Sequence, residues 1–358
     1  MCSTVTQLLR VTELVHTGFQ NHQSTGMLFV DIAKAFDKIW YDGLISKMMR
    51  FGFSDQILKI IHSYLNSREF RVRVENCLSS PRTVKSGIPQ GSLLGPRLFN
   101  LYINDFPKAD NVHLTMYADD TAIISQHTYN FKISERLQNY ITRLQLWLVA
   151  WKIKVNASKS VSLLFTKQRC IGNLSNISIF DQLVPFVTEF KYLGLILDAK
   201  LNFSPHIRAA LQKAAGMSQT LNCLISRKCK LPIRHKGLLY KLFLRPILLY
   251  ASPIWASAAV TYLKKLLVFQ NKHLRKITNA PWFVRNEMLH KDLKIDPILD
   301  FIKNQSKKFF DRLPQIPNQS IRVIPAYDNL VPSSAKRPRA ALHHIYQHFA
   351  VLKRLQIS

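Results

Sequence analysis

Two adjacent carboxylates, Asp119 and Asp120, sit in the tetrapeptide YADD (117–120), approached by Val112, Leu114 and Met116 and followed by Ala122, Ile123 and Ile124. Apolar flanks on both sides place the pair at the tip of a buried hairpin. Ionised groups held that close repel and raise one another's pKa, so something cationic must stabilise them. A pair of divalent metal ions does so, provided a neighbouring strand brings a further carboxylate. Asp31 is the candidate: Met27, Leu28, Phe29 and Val30 form a short apolar run that ends on it, as in a strand buried within a sheet. Taken alone, YADD is more often a solvated turn; with Asp31 it becomes a proposal for catalysis.

The elements that must carry these residues can be read in outline. Val5, Leu8, Leu9, Val15 and Phe19 recur at near-helical spacing, and a polar turn through Gln23, Ser24, Thr25 and Gly26 leads into the Asp31 strand. Ser54 and Asp55 open a helix through Ile57, Ile60, Ile61, Tyr64 and Leu65. Phe70, Val72 and Val74 then alternate with Arg71, Arg73 and Glu75, the period of a half-exposed strand with a partly basic outer face. The loop SGIPQGS (86–92) precedes a helix with Pro96 in its first turn and Phe99, Tyr102 and Ile103 on one face. Such a loop lets backbone approach a ligand closely, and the helix start favours anions. Leu137, Tyr140, Ile141, Leu144, Leu148 and Trp151 predict an amphipathic helix, followed by two short strands, 153–156 and 160–165, on either side of Lys159. A further apolar segment spans 190–197, with a turn at Asp198 and Ala199. From Ser204 onward the pattern is helical. One helix spaces Val260, Leu263, Leu267, Leu274 and Ile277 along one face and Lys264, Lys265, Lys272, Arg275 and Lys276 along the other. Such a face is usually just solvated, but in this chain it suits phosphate contacts.

The partner class follows from charge. Against 21 Asp plus Glu stand 50 Lys plus Arg, a formal +29, which points to a polyanion, with nucleic acid ahead of anionic membrane. The five cysteines (Cys2, Cys77, Cys170, Cys223, Cys229) form no CxxC pair and no zinc spacing, so they read as reduced intracellular thiols. No secretory signal opens the chain. The uncharged stretch 246–263 approaches the length of a spanning helix but contains Pro246 and Pro253, and reads as a buried helix pair broken near Pro253.

The ordered set FVDIAKAFD (29–37), SGIPQGSLLGPRLFNLYIND (86–105), MYADDTAI (116–123), NASKS (156–160) and FKYLGLILD (190–198) resembles the reverse transcriptases of non-LTR retrotransposons, in the manner of the jockey-like branch of arthropod elements. The resemblance runs over about residues 1–280. It implies an α+β, right-hand polymerase fold: a palm sheet backed by helices with partial fingers over 1–200 and a helical thumb over 201–280; beyond it, residues 281–358, rich in Pro, Asn and Lys, read as a basic, partly irregular tail. It implies an RNA-directed DNA polymerase that transfers a nucleotide from a dNTP to a primer 3′ hydroxyl with two Mg²⁺ ions, Mn²⁺ being an alternative. RNA template and DNA primer would be the partners, inside the cell with access to the nucleus, and no membrane. Carried over by position, Asp31, Asp119 and Asp120 match the metal carboxylates and Ile32 lends a backbone carbonyl. Phe36 matches the residue that crowds the sugar 2′ position. Gly87, Pro89, Gln90 and Gly91 match the loop at the template and nascent pair. Lys159 matches a basic residue at the pyrophosphate, although an exposed turn lysine is the plainer reading. Tyr192, Leu193 and Gly194 match the primer grip. The chain departs from the pattern at its start: one helix, with Arg10 its only Lys or Arg, precedes the Asp31 strand, so the upstream cations that clamp the triphosphate are expected to be missing. A non-catalytic, basic nucleic-acid-binding remnant is the rival expectation. Intact metal carboxylates favour catalysis.

Overall fold

The computed structural model describes residues 3–32, 36–168, 174–226, 228–316 and Pro338. The basic run KRPR (336–339) lies outside them apart from Pro338. In chain order the elements are α1 (Thr4–Gln20), β1 (Ser24–Ile32), α2 (Tyr41–Arg50), α3 (Asp55–Leu65), β2 (Glu69–Phe70), β3 (Arg73–Val74), β4 (Cys77–Leu78), β5 (Arg82–Thr83) and α4 (Gly95–Ile103). Then come β6 (His113–Tyr117), β7 (Asp120–His127), α5 (Asn130–Ala150), β8 (Val155–Phe165), β9 (Ile177–Ile179), β10 (Gln182–Val184), β11 (Phe186–Val187), β12 (Glu189–Tyr192) and β13 (Leu195–Asp198). Helices follow: α6 (Ser204–Thr220), α7 (Asn222–Ile225), α8 (Ile233–Leu239), a π-helical turn (Tyr240–Leu244), α9 (Arg245–Leu249), α10 (Ser252–Trp255), α11 (Val260–Thr278), α12 (Asn286–Leu293) and α13 (Ile298–Arg312).

The chain divides into two compact units. The first comprises 23–164 with 168–187, and the second comprises 1–22, 165–167 and everything from 188. The first unit is organised by a five-stranded mixed sheet in the order β11-β8-β1-β7-β6. β1 is interior to it, and its unbroken apolar run is what a strand covered on both faces requires. The expected turn at residues 23–26 does not form: Ser24, Thr25 and Gly26 are buried in β1, paired with His127, Gln126 and Ser125. The Gln126 amide donates to Thr25 Oγ1 at 3.0 Å, so a polar tripeptide is satisfied inside the sheet. One face is covered by α5, whose Ile133, Leu137, Tyr140, Ile141 and Leu144 meet Leu28, Val30 and Ile123 in a single cluster. A Cβ on Gly26 would come within 2.3 Å of Ile133 Cγ2, so only glycine permits that approach.

Beside the sheet, α2, α3 and α4 make a second small core from Leu44, Met48, Leu58, Ile61, Leu98 and Phe99. Its least expected member is Lys47, buried in a box of rings: its ammonium lies 3.6 Å from the centroid of Trp151 and 4.8 Å from that of Trp147. It donates to the Tyr102 carbonyl and to the Asp105 carboxylate. Burial lowers the Lys47 pKa while Asp105 opposes the shift. The ring faces favour the charged form as well.

The sequence led to one strand where Phe70, Val72 and Val74 lie. The structure instead forms a thin hairpin over 69–83, with every residue exposed. Between Phe70↔Arg82 and Arg73↔Leu78 the register changes by one residue, so Ser80 and Pro81 bulge opposite Arg71.

In the second unit α1 packs on α10, and α6 packs on β13, α9 and α11. Buried Ile225, Tyr240, Leu244, Leu274, Ile277 and Ile295 form one of its cores. The uncharged stretch 246–263 is broken at Tyr250 and Ala251, where Ala251 takes φ 54°, just ahead of Pro253. Among the described residues no helix is long and apolar enough to cross a membrane. Past residue 281, in the stretch expected to be a basic, partly irregular tail, α12 and α13 form. Cys77, Cys223 and Cys229 are free thiols.

Candidate functional site

The carboxylates meet at the end of the β1 and β7 ladder. Asp31 and Asp120 are directly opposed partners, so their side chains leave the sheet on the same face. Asp120 is also opposed to Tyr117 of β6, which makes Ala118 and Asp119 a two-residue turn. Ala118 adopts φ 55°, a left-handed conformation that costs a residue with a Cβ about 1 to 2 kcal/mol. Asp119 and Asp120 are exposed and Asp31 is half-buried. Partial burial raises the Asp120 pKa above the ordinary carboxylate range, and the charges of Asp119 and Asp31 push it further. Like charges opposed across strands are destabilising, which is the electrostatic demand for a cation read from the sequence.

Lys159 supplies only part of that charge. It lies inside β8, the strand on the other side of β1, so the expected break into two strands does not occur. Its Nζ is 3.8 Å from Asp31 Oδ2, with 70% of the side chain exposed. An exposed ion pair at that distance contributes well under about 1 kcal/mol. The donor set is carboxylate oxygen, the kind that suits Mg²⁺ or Mn²⁺. Among the described residues no group of three or more His, Cys, Asp or Glu side chains is placed to hold a metal ion by itself. Ile32, buried, ends β1 beside Asp31.

The loop 86–92 is fastened to the segment that follows β1. Gly87 N donates to Ile39 O at 2.9 Å, Ile88 N to Phe36 O at 2.8 Å, and Gln90 Nε2 to Asp37 Oδ1 at 2.8 Å. Ser86 Oγ adds a bond to Asp37 O at 3.1 Å. Gly87 has φ +84°, and a Cβ there would lie 2.6 Å from the Asp37 carbonyl carbon, so both conformation and contact exclude a side chain. The Phe36 ring packs against Phe99 of α4 at 5.0 Å between centroids. Pro89 is half-buried and Gln90 and Gly91 are exposed, while Ser92 Oγ accepts from Gly95 N at 2.9 Å where α4 begins. The Arg68 guanidinium donates to both Gly87 O and the Tyr41 hydroxyl. Asp37, Arg68 and Tyr41 received no role from the sequence, because contacts spanning tens of residues leave no local periodicity.

The second unit holds the other expected site residues. β12 and β13 form a hairpin whose turn is Leu193 and Gly194, with φ 45° and 83°. Tyr192 is buried. The Tyr250 hydroxyl donates to Leu193 O at 2.6 Å, a support that the sequence did not announce. On α11, Lys264, Lys265 and Lys272 are exposed. Arg275 is committed elsewhere, donating to Pro281 O, Val284 O and Asn286 Oδ1 at 2.8, 2.6 and 3.0 Å. Lys276 Nζ donates to Asn222 Oδ1 at 2.6 Å. The free cationic face of the helix is therefore narrower than its composition.

Residues 2–197 match the family model described as reverse transcriptase (RNA-dependent DNA polymerase). The chain is 34% identical over 348 residues to the RNA-directed DNA polymerase from mobile element jockey of Drosophila funebris, covering 94% of this chain and 38% of that protein. It is 34% identical to the probable RNA-directed DNA polymerase from transposon BS of Drosophila melanogaster, over 87% of this chain and 35% of that protein. The same identity relates it to the probable RNA-directed DNA polymerase from transposon X-element of Drosophila melanogaster, over 87% of this chain and 34% of that protein. The chain thus spans less than two fifths of the length of these relatives.

Proposed function

The chain belongs to the reverse transcriptase family, and on that premise we propose that it performs RNA-directed DNA synthesis for a non-LTR retrotransposon, extending a DNA primer on an RNA template. The observation that carries the reading is Asp31 opposed to Asp120, with Asp119 in the adjoining turn. Asp31, Asp119, Asp120 and the Ile32 carbonyl would hold two Mg²⁺ ions, which when bound supply Lewis acidity toward the primer hydroxyl and the phosphoryl oxygens. Phe36, braced by Phe99 and by the loop 86–92, is a fixed wall suited to the sugar 2′ position. Gln90 spends an N–H on Asp37, so its amide oxygen is directed away from that bond and can accept from a nucleotide. The exposed Lys159 ammonium is free to leave Asp31 for a leaving pyrophosphate. Access to nuclear DNA belongs to the same reading.

Primer extension on an RNA template in Mg²⁺ tests it. Asp31→Asn and Asp119→Asn should each abolish extension while circular dichroism and RNA binding stay near those of the unaltered chain. Extension retained in either variant places the chemistry elsewhere. An unaltered chain that binds nucleic acid but never extends a primer would instead be a binding remnant of a longer polymerase.

A further inference from the structure

We infer that the hairpin 69–83 is a docking surface for single-stranded nucleic acid, in the proposed reaction the RNA template. The inference rests on the polymerase reading for the identity of the strand and on the hairpin alone for the chemistry. Phe70, Val72 and Val74 share one face of the hairpin and stand 48%, 53% and 67% exposed, with no described residue packed over them as a core. A monomeric protein seldom leaves a contiguous apolar face of this kind in water, and such a face marks a binding site. Arg82 is the cross-strand partner of Phe70 and so stands on the same face as the apolar stripe, while Arg71 and Arg73 alternate to the other face together with the exposed Leu78; Lys85 is exposed on the returning strand, and the acidic residues of this segment are Glu69 and Glu75. Arginine and a proline bulge can serve merely to blunt a sheet edge. That role accounts for the cations and leaves the apolar stripe unexplained.

The apolar platform with the Arg82 guanidinium beside Phe70 matches what an unpaired strand presents, base faces for the aromatic and aliphatic side chains and a phosphate for the cation, while Arg71 and Arg73 add positive charge on the other face. A duplex hides its base faces and would meet only the cations. A protein partner would fit the apolar stripe but has no need of the net positive charge. The hairpin is also held in place, because Arg68 at its base donates to Leu65 O at 3.0 Å, to the Tyr41 hydroxyl and to Gly87 O. The platform is therefore tied directly to the loop 86–92, which the family resemblance puts at the template.

The test is fluorescence anisotropy of the full chain with a labelled single-stranded oligoribonucleotide and with a blunt duplex of the same sequence, over a salt series. Phe70→Ala should weaken single-strand binding about tenfold with an unchanged salt slope, because stacking releases no counterions. Arg71→Gln, Arg73→Gln and Arg82→Gln combined should flatten the single-strand salt slope by about 2, near 0.7 per phosphate contact. Duplex affinity should move little in Phe70→Ala. All side chains concerned are exposed, so both variants should retain the circular dichroism and melting of the parent. Variants that bind the single strand as the parent does overturn the proposal and leave the polymerase reading standing. Equal losses on both probes, or a Phe70→Ala chain that binds RNA normally but ceases to self-associate, overturn it too. A parent chain that binds no nucleic acid at low salt overturns both readings.

Discussion

At the residue scale, the loop glycines separate conformational need from spatial need. Gly87 and Gly91 both have positive φ, at +84° and +81°. A Cβ at Gly91 meets nothing within 4 Å, whereas one at Gly87 meets the Asp37 backbone. Gly91→Ala is therefore expected to cost about 1 to 2 kcal/mol from backbone strain alone. Gly87→Ala should cost about 3 kcal/mol or more, because strand-linked backbone must also move. Urea unfolding of the two variants measures the difference, and equal costs would show that the 36–39 segment yields freely. Such a shift in Gly87→Ala would carry Phe36 with it. The carboxylates themselves were legible from residue type and flanking apolar runs. The supports of the other expected site residues were not: Asp37 and Arg68 hold the loop 86–92 and Tyr250 holds the Leu193 turn, each through a contact distant in sequence.

At the element scale, amphipathic helices were the plainest text: α1, α3, α5 and α11 lie where their periodicity predicts them. Strands were harder wherever polar residues interrupt them. Residues 24–26 and the NASKS stretch have the composition of turns, but β1 and β8 run through them because long-range pairing overrides local preference. Inside β8, Ser160 Oγ donates to Asn156 O and Ser158 Oγ to Asn156 Oδ1, so the polar side chains are satisfied locally. The β12 and β13 hairpin carries a different dependence, on pH. Behind it His206 is buried, with Ile196 N donating toward its Nδ1 at 3.5 Å. Burial is the main cause that lowers its pKa to about 4; the Lys191 charge adds to the shift, and a hydrogen bond with the Tyr250 backbone opposes it. The unfolded chain then binds more protons than the folded one between about pH 6.5 and 4. Stability is present above that window and is lost as pH falls through it, by about 3 kcal/mol at full extent. Denaturation at pH 7 and pH 4.5 should show the loss, and His206→Leu should remove most of this slope. An unchanged slope in His206→Leu would assign the acid sensitivity to other groups.

At the scale of the whole molecule, a formal +29 bears on every encounter with a polyanion. Salt dependence is its direct readout. Lys264→Gln, Lys265→Gln and Lys272→Gln combined should flatten the salt slope of duplex binding by about 2 to 3, near 0.9 per phosphate contact. Arg275→Gln should instead lower the melting temperature, because its guanidinium ties the end of α11 to the segment 281–286. If Arg275→Gln behaves like the lysine variants, its bonds within the chain are dispensable.

The ladder that opposes Asp31 to Asp120 also has a temporal meaning. A nascent chain that has released β1 from the ribosome holds one carboxylate and an unpaired apolar strand, and it stays so until β7 follows. Pairing across that sequence separation forms slowly, since the loop must close before any contact rewards it. The site thus cannot assemble piecemeal: it comes into being in the same step that buries Leu28, Val30 and Ile123. A transcript cut short before β7 would yield no weakened enzyme, only an exposed strand for chaperones and proteases to clear.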